Sequence, residues 1–235
     1  MWSGPRNLST AMMYSFGARA DCAVVDEPFY ASYLAQTGLD HPMRDEIIAS
    51  QPTDPAKVIE TLLGPISGGK AHFYQKHMSQ HMIEGVPRDW VHRVANVFLI
   101  RHPARVAASF STKYDNPTLA DIGFVQQAEL YDQLVAAGAR PVVIESADIR
   151  RDPEVMLKRL CAAIGLGWDP AMLSWPSGGH PDDGVWAAHW YGAVHQSTGF
   201  APAEGAMPDL DGPRAALAEA AMPAYEHLRA VALSL

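Results

Sequence analysis

At 235 residues, with 48% hydrophobic and 19% charged side chains, the chain can bury a full core and is too apolar for a disordered protein. Its 18 Lys and Arg stand against 26 Asp and Glu, a net charge of -8, which repels a phosphate backbone and argues against nucleic acid as a partner. No stretch approaches the ~20 apolar residues of a membrane span, no charged segment followed by an apolar core opens the chain, and cytoplasm is the expected compartment.

The first ten residues, MWSGPRNLST, read as a phosphate-binding loop without the usual lysine. Apolar positions over residues 8–19 predict a helix directly behind it, so the backbone N–H groups of the loop converge at a helix N-terminus and form an anion site. Only Met1 and Trp2 precede the loop, so the first strand is expected to be cut short. Four β-rich runs follow, at residues 23–26, 71–75, 95–100 and 141–145, alternating with helical patterns. Pro103 suits the first turn of a helix running through Ser109, and Thr118 opens a longer helix over 119–137 that Gly138 closes. Asp152-Pro153 starts another, ending near Gly165, and a last amphipathic helix over residues 213–233 follows Asp211-Gly212. Gly- and Pro-rich stretches at 37–55, 63–70 and 174–184 read as excursions over a binding face. The alternation predicts an α/β fold: a three-layer α/β/α arrangement around a mostly parallel central sheet, with ligands at the carboxyl ends of the strands. A single domain over residues 1–235 is expected, with 175–235 as its C-terminal loop segment and flanking helix. Cys22 and Cys161 lack C-x-x-C spacing and read as reduced core thiols.

Arg6, Asn7, Ser9 and Thr10 bring a guanidinium, an amide and two hydroxyls to one helix mouth, enough to hold a phosphate or sulfate from several sides. A simple N-cap by Asn7 or Ser9 would use fewer of them. Arg101 ends a strand and Ser109 lies eight residues on, along the next helix, so the pair can face the same crevice and fix a second phosphate. Asp26 and Glu27 stand at the carboxyl end of the strand at residues 23–26. A partly buried carboxylate beside Phe29 would have a raised pKa suited to taking a proton, although both acids could instead cap the next turn. Lys76 and His77 end another strand. Adjacent strand residues diverge, which makes Lys76 the candidate stabiliser of transferred charge and leaves His77 as a rival base. His77 and His81 stand at i, i+4 without the glutamate of H-E-x-x-H or a third ligand, so no metal site is expected.

In order and spacing these residues resemble the sulfotransferase superfamily, whose members use 3′-phosphoadenosine-5′-phosphosulfate (PAPS). The family's 5′-phosphosulfate loop, approximately P-[KR]-[ST]-G-[ST]-[ST], is similar to Pro5-Arg6-Asn7-Leu8-Ser9-Thr10, with two departures. Leu8 stands where a glycine normally lets the backbone approach the phosphate. Arg6 keeps the charge of the commoner lysine but offers a planar fork. The R-x-P and later serine of the 3′-phosphate motif are met by Arg101, Pro103 and Ser109. The segments 142–153 and 161–166 resemble the family's late strand and helix, and the likeness spans about residues 1–175.

The resemblance implies a P-loop NTPase-like fold, PAPS as co-substrate, and a small hydroxylated acceptor of unspecified class. It implies donor binding by Arg6, Asn7, Leu8, Ser9, Thr10, Arg101 and Ser109. Catalytic roles would fall to Glu27, in an E-P context used by some bacterial and carbohydrate sulfotransferases, to Arg6 and Lys76, and to His77, although cytosolic relatives separate the lysine and histidine by one residue. Two other readings stand beside it: a P-loop kinase or nucleotidase holding magnesium on Asp26 and Glu27, and a catalytically silent nucleotide-binding module. The aromatic segment 183–200 reads as a lid or as core packing, with Trp186 and Trp190 at i, i+4.

Overall fold

The computed structural model describes residues 1–235. In chain order the elements are β1 (Trp2–Ser3), α1 (Ser9–Gly17), β2 (Cys22–Asp26), α2 (Tyr30–Thr37), α3 (Arg44–Ser50), α4 (Pro55–Leu63), β3 (His72–Met78), β4 (Val97–Ile100), α5 (Pro103–Phe110), α6 (Leu119–Ile122), α7 (Phe124–Ala136), β5 (Val142–Glu145), α8 (Ser146–Arg151), α9 (Pro153–Ala163), α10 (Ala187–Trp190), α11 (Gly192–His195) and α12 (Gly212–Arg229). The fold is α/β, with parallel strands and flanking helices as the alternation of patterns required. No helix is long and apolar enough to cross a membrane. Two compact units divide the chain.

One unit comprises Met1–Ser9, Ala95–Trp168 and Ala201–Leu235. Here β1 pairs with β4 and β4 with β5, in the registers Trp2 with Phe98 and Phe98 with Val143. All four β4 residues, Val-Phe-Leu-Ile, are buried, the continuous apolar run expected of a parallel strand covered on both faces. Polar side chains serve the short β1: Gln127 Nε2 donates to the carbonyls of Trp2 and Leu99, and Trp2 Nε1 donates to Asn96 Oδ1 at 2.8 Å. Pro103 opens α5, where His102 Nδ1 accepts from the Ala104 amide, and α12 packs on α5 and α7.

The other unit, Thr10–Val94 with Asp169–Phe200, pairs β2 with β3 over Cys22–Asp26 against His72–Lys76. Its aromatic core joins Tyr30, Tyr33 and Leu34 of α2 to Trp186 and Tyr191.

Three expectations need correction. The single helix over 119–137 is two helices, because Gly123 adopts φ 69° and ends α6, whose own start is a Thr118–Asp121 capping box. The strand at 71–75 runs on to Met78, since its polar Lys76 and His77 are buried rather than at a solvated end. The stretch at 37–55 contains α3, anchored by buried Ile47.

Candidate functional site

The loop before α1 is built for close approach. A Cβ on Gly4 would lie 2.3 Å from the Ile122 carbonyl oxygen, so only glycine fits there. Arg6 and Leu8 both adopt left-handed backbone, at φ 63° and 76°. Leu8 thus retains the conformation that a glycine would take without strain, at about 1–2 kcal/mol for its Cβ. Asn7 is fully buried and donates through Nδ2 to the Leu99 carbonyl at 3.2 Å, which ties the loop to the end of β4. Its Oδ1 is buried without a partner.

Arg6, Arg101 and Ser109 come together. Arg6 Nε donates to Ser109 Oγ at 2.9 Å, and Arg101 Nη1 donates to the Arg6 carbonyl at 2.7 Å. Burial and the neighbouring Arg101 both press the Arg6 guanidinium below its ordinary pKa. Arg101 also pairs with Glu204 at 2.5 Å, and Arg105 and Arg150 reach the same carboxylate at 2.8 and 2.9 Å. Beyond the i, i+4 spacing of Arg101 and Arg105 across Pro103, no sequence pattern marks this cluster. Glu204 stands in an irregular segment among alanine, proline and glycine.

A second cluster occupies the ends of β2 and β3. Lys76 Nζ donates to Asp26 Oδ1 at 2.8 Å, to Glu27 Oε1 at 2.6 Å and to the Tyr191 hydroxyl at 2.5 Å. The Lys76 side chain is only 1% exposed. Trp186 Nε1 also donates to the Tyr191 oxygen, at 3.0 Å, so the single phenolic proton is free for a carboxylate. Asp26 Oδ2 lies at 2.8 Å and Glu27 Oε1 at 3.2 Å, which favours Asp26. Asp26 further accepts from the Gly184 amide.

Glu27 is therefore the less satisfied acid: its Oε1 is engaged and its Oε2 takes no hydrogen bond from the protein. Burial raises its pKa, and the charge of Lys76 only partly opposes this. Lys76 is pulled down by burial, but Asp26 and Glu27 more than offset it and leave its pKa raised. Glu27 has φ 38°, held by its amide on the Lys76 carbonyl and by Gln51 Nε2 on its own carbonyl. Three of the five non-glycine residues with positive φ, Arg6, Leu8 and Glu27, are thus candidate site residues.

His77 lies elsewhere. It occupies the β3 face opposite Lys76, packed against Phe29 and Trp90 and hydrogen-bonded to Gln75 Oε1, and burial holds its pKa well below the usual imidazole range. His81 is stacked between Tyr30 and Tyr33. In the aromatic segment Trp186 is core, 1% exposed, and Tyr191 is the member of the buried charge cluster that sequence reasoning missed. A tyrosine among so many aromatics carries no sequence signal that it will reach two carboxylates and a lysine.

A family model described as "Sulfotransferase domain" matches residues 1–232. The chain belongs to the sulfotransferase domain family. Two Arabidopsis thaliana proteins are similar to it: branched-chain-amino-acid aminotransferase-like protein 1, 41% identical over 199 residues, and protein 2, 37% identical over 200 residues. Each match covers 85% of this chain but only 36% and 35% of those proteins, so the chain spans about a third of their length. Among solved structures, the sulfotransferase domain of the Synechococcus PCC 7002 olefin synthase superposes with a TM-score of 0.56 at 20% identity, covering 93% of this chain and 92% of that one. A sulfotransferase domain from the curacin biosynthetic pathway gives 0.53 at 13% identity, over 93% and 95%. At these identities the two structures establish the fold that this sulfotransferase-family chain shares with them.

Proposed function

We propose that the chain is a sulfotransferase that moves a sulfuryl group from PAPS to the hydroxyl of a small acceptor. The observation that carries the reading is the convergence of Arg6, Arg101 and Ser109, with Arg6 on Ser109 at 2.9 Å and Arg101 on the Arg6 carbonyl at 2.7 Å. The donor's two phosphates hang on one ribose, so any protein that holds both must set two anion sites side by side. In this reading the loop amides, Arg6, Asn7, Ser9 and Thr10 hold the 5′-phosphosulfate and Arg101 with Ser109 holds the 3′-phosphate. Leu8, left-handed like a glycine, keeps the loop's path.

Transfer requires the acceptor oxygen to lose its proton, attack sulfur and expel the 5′-phosphate oxygen, which leaves with the bonding electrons as 3′-phosphoadenosine-5′-phosphate. Glu27 Oε2, which takes no hydrogen bond from the protein and sits on a carboxyl with a raised pKa, takes the proton. Lys76 holds Glu27 in place and offsets the negative charge gathered there. Tyr191 commits its proton to Asp26 and so keeps the two acids in different roles.

Isothermal calorimetry of Arg101→Ala tests the donor assignment. The substitution should weaken 3′-phosphoadenosine-5′-phosphate by about 10- to 100-fold, the loss of a charge-assisted contact, and leave adenosine 5′-phosphosulfate within about twofold. Equal losses for both ligands would remove the 3′-phosphate from Arg101.

A further inference from the structure

Three guanidiniums, those of Arg101, Arg105 and Arg150, converge on the single carboxylate of Glu204, whose side chain is 4% exposed. Within that group two positive charges are left uncompensated, and Arg101 also donates to the Arg6 backbone carbonyl. A carboxylate is a poor match for so much charge. A phosphomonoester, with about -1.5 to -2 and three acceptor oxygens, is a far better one.

The segment that delivers Glu204 is lightly held. Residues 201–211 form neither helix nor strand, and none of them is buried as a whole residue. Over residues 201–206 every hydrogen bond and ion pair comes from the same three arginines: Arg101, Arg105 and Arg150 to Glu204, Arg150 Nε to the Pro202 carbonyl, and Arg105 Nη2 to the Gly205 carbonyl. No apolar side chain there anchors it, so lifting it exposes little hydrophobic surface.

We propose that Glu204 is a displaceable occupant of the 3′-phosphate site: the chain's own carboxylate fills the Arg101–Arg105–Arg150 cluster when donor is absent and yields it to the donor's 3′-phosphate. This rests on the donor reading above and adds two ligands to it, Arg105 and Arg150, together with a built-in competitor. The segment 201–211 is then a strap that opens when a 3′-phosphorylated nucleotide enters, and nucleotides without that phosphate leave it closed.

The experiment has two arms on the full chain. In calorimetry, Glu204→Gln should tighten 3′-phosphoadenosine-5′-phosphate by about tenfold or more, because the competing closed state is lost, while adenosine 5′-phosphate stays within about twofold. In the wild-type chain, cleavage by a glutamate-specific protease after Glu204, followed by mass spectrometry, should speed up when 3′-phosphoadenosine-5′-phosphate is added and not when adenosine 5′-phosphate is added. This arm stands even if Glu204→Gln folds poorly. Unchanged or weaker nucleotide binding by Glu204→Gln, or cleavage that is unaffected or slowed by the 3′-phosphorylated ligand, would make Glu204 a fixed structural partner and overturn the strap while leaving the donor reading intact. Absence of 3′-phosphoadenosine-5′-phosphate binding in both wild type and variant would overturn the two together.

Discussion

Replacing Lys76 by methionine keeps the volume of the side chain and removes the one cation from a buried group of two acids. In the native chain Lys76 is 1% exposed, Asp26 1% and Glu27 9%, with ammonium–carboxylate distances of 2.8 and 2.6 Å. Breaking a buried pair by deleting one partner costs about 3–5 kcal/mol. Asp26 would keep the Tyr191 hydroxyl and the Gly184 amide, so the loss falls chiefly on Glu27. At about 2–4 °C per kcal/mol for a chain of this size, the melting temperature should drop by about 6–20 °C at pH 7. The loss should also depend on pH. The folded pKa of Glu27 is raised, so its contribution is fully present below the unfolded value and is lost as pH rises through the folded one. Without Lys76 that folded pKa moves higher still. Lys76 itself, also raised, holds its contribution up to and beyond its ordinary 10.5 and is flat across this range. The gap between wild type and Lys76→Met should therefore widen from pH 5 to pH 8 in differential scanning calorimetry. A drop under about 2 °C at pH 7, or a gap that does not change with pH, would refute the view of Asp26, Glu27 and Lys76 as one charge-coupled cluster.

Three further outcomes are expected. Glu27→Gln should lower turnover of any acceptor that the chain sulfates by about 10²- to 10⁴-fold while leaving 3′-phosphoadenosine-5′-phosphate affinity nearly unchanged; unaltered turnover would remove Glu27 as the base. Gly4→Ala drives a methyl to 2.3 Å from the Ile122 carbonyl, so the loop must shift, and urea unfolding should show a loss of about 1–3 kcal/mol or more; a neutral substitution would mean that the loop is not tightly seated. Burial pushes the Glu145 carboxyl from 4.5 to about 7, although the Tyr225 hydroxyl donates to it at 2.9 Å. The stability this group contributes is complete below pH 4.5 and is lost as pH rises from there through 7, by up to about 3 kcal/mol, so Glu145→Gln should flatten the stability profile between pH 5 and pH 7. Parallel profiles for the two proteins would show that Glu145 does not titrate in that window.

What could be read from the sequence, and what could not, divides along the distance over which each signal acts. The loop at residues 4–10, the prolines that open α5 and α9, and the apolar β4 are local signals, written within one turn or one strand of where they act, and the structure carries each of them. Gly123 was local too, yet its reading depended on whether a glycine in a helical pattern would be tolerated or would end the helix, and only packing decides that. The Asp26–Glu27–Lys76 group was half legible: hydrophobic runs ending in charge placed each residue at a strand end, and strand alternation separated Lys76 from His77. Tyr191 and Glu204 were beyond reach, because Tyr191 meets Lys76 across 115 residues and Glu204 meets Arg101 across 103, and neither sits in a pattern. Both are side chains from late, irregular segments that complete charge clusters built by strand ends. A charge cluster assembled by strand ends leaves its balancing group to whichever loop can reach it, and that group is found by asking which buried charges still lack a partner. On that accounting three arginines share the one carboxylate of Glu204, an excess of two positive charges that an incoming anion can balance.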